Sequence, residues 1–260
     1  MTLFKNLLNT GLLTWIISLV IWQIASWCSN PDFLPGPYET LRGAIELSQD
    51  GSLLRYIYVS FARVFTGWLL GLALAIPIGL VMGRVTVVRV LAEPVLNFIR
   101  FIPPLAFITL FLLWFGIGEQ SKIVLIIYAT LFIVILNTMT GVLAVEEDKI
   151  RSARSMGASE WQILLHVIIP ATVPHMFTGA RLAMSTSYMA IIGAEMVAAN
   201  EGVGYLIWNS RLYFKTDWIF VGLVALGLMG FLMDRLLGLF GSMALSRYGV
   251  TKGQVFRGKL

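Results

Sequence analysis

Six stretches of this chain are long, apolar and nearly free of charge, and no other feature restricts its folding so severely. They run roughly from Leu12 to Cys28, Val59 to Gly83, Phe98 to Phe115, Lys122 to Val145, Ala171 to Ala199 and Trp218 to Phe240. A helix of about 20 mostly apolar residues spans the hydrocarbon core, because it pairs its backbone N–H and C=O groups internally where water cannot. Only 13% of the residues are charged, against about 25% in soluble domains, and the mean hydropathy is +0.82. The expectation is an all-α membrane protein with six transmembrane helices, its fifth span interrupted by Arg181 and Glu195.

The remaining composition narrows the chemistry. A single cysteine, Cys28, forms no internal disulfide, and no Cys/His cluster has metal-ligand spacing. His166 and His175 stand alone, and neither GxSxG nor HExxH occurs. No cofactor is expected in this chain, and no catalytic residues. A net charge of +5 raises nucleic acid as a partner, but the basic residues are spread over loops, where charge bias records topology. The first run, preceded by Lys5, has the look of a processing signal. Trp27 stands before Cys28 where cleavage wants a small side chain, so the run reads as a retained first span.

Lysine and arginine orient the six spans. One side collects Lys5, Arg84, Arg89, Lys149, Arg151, Arg154, Arg235, Arg247, Lys252, Arg257 and Lys259; the other has Arg42, Arg55, Lys122, Arg211 and Lys215. The positive-inside rule then makes both termini cytoplasmic. The external segment before Gly51 has room for a short helix after Pro37, a residue suited to a first helical turn. Gly67/Gly71, Gly79/Gly83 and Gly179/Ala183 have the small-xxx-small spacing of helix contacts in membranes. Pro77, Pro103 and Pro104 are expected to kink or delay their helices.

The cytoplasmic stretch EEDKIRSARSMGASEWQILLHVIIP is organised beyond what a connection needs. Glu146, Glu147 and Asp148 suit a helix N-terminus, and Arg151 and Arg154 its C-terminus. Gly157 is placed to end that helix in a left-handed conformation. Ser159 and Gln162 fit a capping box that starts a second helix, expected from Glu160 to Ile169 and stopping at Pro170. Three readings follow: an interfacial loop, a DNA-binding helix-turn-helix, and a docking element for a cytoplasmic protein. The second fails because a segment leashed at both ends to a bilayer cannot enter a major groove.

The docking reading gains from a resemblance. The stretch resembles the cytoplasmic E-A-A-x3-G-x9-I-x-L-P signature of ABC importer membrane subunits: Gly157 lies thirteen residues before Pro170, Ala153 matches the second alanine, and Val167 and Ile169 stand for the Ile and Leu. Arg151 takes the Glu position and Ser152 the first Ala. SFARVFTGWLLGLALAIPIGLVMG, FIPPLAFITLFLLWFGIG, TGARLAMSTSYMAIIGAEMVAANEGVGYL and FLMDRLLG are similar, in the family's order, to its nitrate/sulfonate/taurine branch. Thr109 departs from the proline common in that branch.

The resemblance implies a type I ABC importer permease fold in a bacterial inner membrane. It implies a second, identical permease subunit, two ATP-binding cassette subunits that bind ATP and magnesium, and an extracytoplasmic solute-binding protein. On this reading residues 1–53 hold the first span and external helix, 54–239 the permease domain with a coupling segment at 146–170, and 240–260 a basic cytoplasmic tail. Glu147, Arg151, Ala153, Arg154, Gly157, Ala158 and Ser159 are the expected coupling residues. Hydrolysis belongs to the partner subunits; the tail sequence GQVFRGKL keeps a G-x4-G-K skeleton but lacks the Ser or Thr, the preceding strand and the following helix of a phosphate loop.

Charges at membrane depth are costly and default to functional candidates. They select Arg63, Arg181 and Glu195, with Ser185, Thr186, Ser187 and Tyr188 as a possible polar path; the alternative is that the arginines pair with Glu195 or a carbonyl and fix packing. Two arginines against one glutamate favour an anionic solute. A competing function, an ATP-independent secondary transporter of a small anion, calls for inverted repeats with broken helices, and no internal repeat is evident. An intramembrane enzyme lacks a catalytic constellation.

Overall fold

A computed structural model describes residues 12–30 and 32–245. Lys5, and the basic tail from residue 246 with its Gly253–Leu260 skeleton, lie outside the described residues. Every regular element described is helical: α1 (Leu12–Trp27), α2 (Pro37–Gln49), α3 (Ser52–Arg84), α4 (Thr86–Ile99), a 3-10 turn (Pro104–Phe107), α5 (Ile108–Phe115), α6 (Glu119–Leu143), α7 (Glu147–Ser155), α8 (Glu160–Ile163), a π turn (Leu164–Ile168), α9 (Ile169–Ala198), α10 (Val203–Leu212) and α11 (Thr216–Ala244). Among the described residues, four helices are long and apolar enough to cross a bilayer: α3, α6, the continuous rod Glu160–Ala198, and α11. A fifth arises if α4 and α5 make one bent span; α1 is apolar but shorter.

The glycine spacings set the core. Cβ atoms placed on Gly67, Gly71, Gly79 and Gly83 of α3 would stand 2.6, 2.6, 2.6 and 2.5 Å from the Cβ atoms of Ile126, Thr130, Thr138 and Val142 of α6. Ala75 and Val134, both fully buried, complete two rows of period four. Glycine lets the two backbones approach this closely, the arrangement that drives helix association where lipid removes the hydrophobic incentive. The matched order of these pairs makes α3 and α6 parallel. The chain between them therefore returns from the Arg84 end to the Glu119 end through α4 and α5.

On the other face of α6, Gly141 meets His175 and Thr172, and Gly179 meets Asn137, so α9 runs antiparallel to α6. Beyond α9 lies α11, where Gly241 is covered by the ring of Phe177. At the opposite end of α11, Trp22 of α1 stacks on Phe220 at 5.7 Å and donates to the Pro35 carbonyl at 3.0 Å. The short helix α2 begins as expected at Pro37, with the Gly36 N–H held by Glu39 Oε2 at 2.9 Å.

Two expected helices are corrected. Phe98–Phe115 is not one helix: α4 ends at Ile99 and the axis turns by 86° before the Pro104–Phe115 segment. Pro103 and Pro104 supply no N–H donors there, so the ladder cannot continue. Pro77 lies inside α3 without ending it, since packing against α6 holds the helix on both sides. Nor does the helix that starts at Glu160 stop at Pro170. It widens into the π turn, where the Ile169 N–H reaches Leu164 O, and continues as α9. The wider turn absorbs the donor that Pro170 lacks and relieves its ring from the preceding carbonyl.

Candidate functional site

The α7–α8 pair is built by two caps. At the end of α7 the Gly157 N–H reaches Arg154 O at 3.0 Å and the Ala158 N–H reaches Ala153 O at 3.1 Å. With Gly157 at φ 86°, this is the Schellman pattern of a left-handed helix end. Ser159 and Gln162 then form the expected reciprocal box: Gln162 N–H donates to Ser159 Oγ at 3.3 Å, and Ser159 N–H to Gln162 Oε1 at 2.8 Å. The pair has its own small core of Val142, Ile150, Ala153, Ile163 and Ile168, with Leu80 and Ala158 packed against it. That core ties α7 and α8 to the ends of α3 and α6.

The expected coupling residues divide by environment. Ala153 is buried and Ala158 half-buried in the small core, whereas Glu147, Arg151, Arg154, Gly157 and Ser159 are exposed. Arg154 pairs with Glu160 at 2.7 Å, and Arg84 from the end of α3 pairs with the same carboxylate. Arg151, in the position of the signature's glutamate, lies 3.7 Å from Glu147 one turn earlier. Sequence reasoning passed over Met156 and Trp161, which are 82% and 66% exposed. They are exposed apolar side chains flanking the two caps.

The charges that the sequence singled out, Arg63, Arg181 and Glu195, fall into two groups. In the first, Glu195 Oε1 accepts from Arg63 Nη1 at 2.8 Å, both its oxygens lie 2.8 Å from Ser60 Oγ, and Oε2 accepts from the Gly204 N–H at 2.9 Å. Arg63 also donates to the Glu201 carbonyl at 2.6 Å and, through Nε and Nη2, to both oxygens of Glu119 at 2.6 Å. Lys122 reaches Glu119 at 3.0 Å, and the Val203 N–H donates to Ser60 Oγ at 2.8 Å. Gly202, at φ 121° and packed on the Glu195 carboxyl, lets the loop pass over it. This clasp joins α3, α6, α9 and the α9–α10 loop at one end of the bundle.

The second group is Arg181 with Asp234 of α11, joined by two contacts of 2.5 and 2.7 Å. Arg63 therefore meets Glu195 as one sequence alternative had it, and Arg181 does not. The tally of two arginines against one glutamate is corrected: Lys122, Glu119 and Asp234 join the set, and the opposing charges are equal in number. Ser185 is exposed, Ser187 is buried on Thr130 at 3.0 Å, and the buried Tyr188 hydroxyl has no hydrogen-bond partner among the described residues. Thr186 lines a cavity of about 460 Å³ beside the bend after α4. No group of three or more His, Cys, Asp or Glu able to hold a metal occurs among the described residues.

Comparisons with known proteins agree with this layout. Residues 75–242 match the family described as "Binding-protein-dependent transport system inner membrane component". A probable ABC transporter permease protein of Brucella melitensis is 38% identical over 230 residues, covering 88% of this chain and 93% of that one. The taurine transport system permease protein TauC of Escherichia coli is 32% identical, covering 84% and 82%. An inward-facing structure of the MetNI methionine ABC transporter superposes with a TM-score of 0.58 at 20% identity, over 71% of this chain and 94% of that one, which is a likeness of fold.

Proposed function

Since the chain belongs to the family of binding-protein-dependent transport system inner membrane components, we propose that it is the permease subunit of an ATP-driven importer of a small anion such as a sulfonate, taurine or nitrate. On this reading it crosses a bacterial inner membrane six times, α1 and the bent α4–α5 pair supplying two crossings, with both termini cytoplasmic. It pairs with an identical copy, receives solute from an extracytoplasmic binding protein, and leaves ATP and magnesium to two cassette subunits. Support for the substrate class comes from the taurine-permease relative, and no longer from the balance of intramembrane charge.

The observation that carries the coupling role is the doubly capped α7–α8 pair with Met156 and Trp161 turned outward. A rigid, partly apolar projection on its own small core is the form a docking helix takes when it must transmit movement rather than merely connect. Glu147, Arg151, Arg154, Gly157 and Ser159 line that projection; Ala153 and Ala158 hold it to the bundle. Arg63 and Glu195 are read as packing residues, and Arg181, Ser185 and Tyr188 as neighbours of the pathway.

The test is taurine uptake into proteoliposomes. Uptake that requires ATP, the cassette subunits and the binding protein supports the proposal. Uptake by this chain alone, driven by an ion gradient, favours the secondary transporter instead.

A further inference from the structure

Arg100 is a charged residue of the bent α4–α5 pair that neither ionic group takes in. It follows the last residue of α4, where the broken span turns, and it lines the cavity of about 460 Å³ with Tyr128, Phe132, Thr186 and Met189. Its guanidinium lies over the Phe101 ring, 5.0 Å from the centroid. Among the described residues no carboxylate lies within ion-pair reach of it.

The depth of this arginine is fixed by Tyr128, whose hydroxyl lies 3.1 Å from Ile99 O and 3.2 Å from Ile102 O. Tyr128 stands about 14 Å along α6 from Glu119 at a rise of 1.5 Å per residue, near the middle of a hydrocarbon core of about 30 Å. Capping the end of α4 does not explain the charge, because the Leu96, Phe98 and Ile99 carbonyls already accept from the N–H groups of Arg100, Phe101 and Ile102. An unpaired charge at this depth is retained for function far more often than for packing.

We propose that Arg100 is a transient binding site for the oxyanion group of the solute, partway along the translocation pathway. The proposal rests on the permease reading above. A guanidinium presents paired donors to a planar or tetrahedral oxyanion such as nitrate or sulfonate. The site holds little else: the Thr186 hydroxyl is engaged with Ala183 O at 2.9 Å, and the surrounding wall is mostly apolar. A single cation attracts an anion into the bilayer without trapping it, which suits passage, and it restores a reason for anion preference that the paired arginines do not give.

Met189 shares the cavity wall and is 70% exposed, so it reports on the local field. In a Cys28→Ser background, Met189→Cys is reacted in membranes with methanethiosulfonate-ethylsulfonate, an anion, and methanethiosulfonate-ethyltrimethylammonium, a cation. Arg100→Met should lower the anion-to-cation ratio of rates about tenfold, from the loss of one charge at close range; Arg100→Lys should keep it within about threefold. A ratio unchanged by Arg100→Met overturns the proposal, as does failure of both reagents to react, since the cavity would then be closed to water. In the assembled transporter, taurine uptake should fall about tenfold in Arg100→Met and recover in Arg100→Lys; wild-type uptake in Arg100→Met also overturns it. If the unmodified complex shows no ATP-driven uptake, the importer reading fails and the labelling ratio alone decides the Arg100 site.

Discussion

Replacing Glu195 with alanine would withdraw a carboxylate whose side chain has no solvent exposure and which is held by Ser60, Arg63 and Gly204. Arg63 would keep Glu119 and the Glu201 carbonyl but lose its buried counter-charge. The Gly204 N–H would be orphaned, and Ser60 Oγ would lose its acceptor. Breaking a buried ion pair on one side costs about 3–5 kcal/mol, and an orphaned buried donor about 1–3 kcal/mol. These losses overlap in one network and do not add, so the expected total is about 3–5 kcal/mol. For a chain of this size about 1 kcal/mol moves Tm by 2–4 °C; the expected fall is roughly 10 °C, read from tryptophan fluorescence of the detergent-purified protein.

Glu195→Gln keeps the shape but turns one acceptor into a donor facing donors, so its loss should be smaller, about 2 kcal/mol. Combining Arg63→Met with Glu195→Ala should cost less than the two singly, because each leaves the other's partner stranded. A Tm within about 2 °C of the parent in Glu195→Ala would refute the clasp. Retained Tm with lost uptake would move Glu195 from packing to the pathway.

Three further outcomes are expected. Gly157 is at φ 86° with nothing within 4 Å of where a Cβ would stand, so its substitution costs backbone strain alone, about 1–2 kcal/mol; Gly157→Val should abolish ATP-driven uptake with normal membrane insertion, and Gly157→Asn should retain it. Gly71→Val places its Cβ 2.6 Å from Thr130 Cβ and must force α3 from α6, lowering stability by about 1–3 kcal/mol or more, whereas Gly118→Ala meets open space and should leave Tm unchanged. Trp161→Ser should leave Tm within about 2 °C but weaken co-purification of the cassette subunit; undiminished co-purification would take Trp161 off the docking face.

What was legible in the sequence was whatever neighbours in the chain decide. The caps at Gly157 and Ser159, the start of α2 at Pro37 and the glycine contacts of α3 all follow from residues within one or two turns of each other. Charge partners were not legible in that way. Arg63 lies 132 residues from Glu195 and 56 from Glu119, so only the packing of α3 against both α6 and α9 brings them together. Asp234 stands inside an apolar run, and nothing near Arg100 in the chain shows what it faces; the bend expected at Pro103 and Pro104 is what turns this helix-end arginine toward a cavity.

The continuity of the helix through Pro170 bears on mechanism. In an α-helix, residues five apart lie about 140° apart around the axis, so Ile163 and Ile168 would face different ways. The π turn between them, closed by a bond five residues long, returns both to one side, and both are buried in the small core, 0% and 1% exposed. A helix that stopped at Pro170 would leave the capped pair on a hinge. Instead Glu160–Ala198 is one rod of 39 residues, carrying the small core near one end and Glu195 of the clasp near the other. Under the proposed coupling, a load on Met156 and Trp161 passes through Ile163 and Ile168 to Leu80 of α3 and Val142 of α6, and along the rod to the clasp. The parallel α3–α6 pair is then pushed at one end and held at the other, so it tilts as a unit rather than separating along its glycine seam.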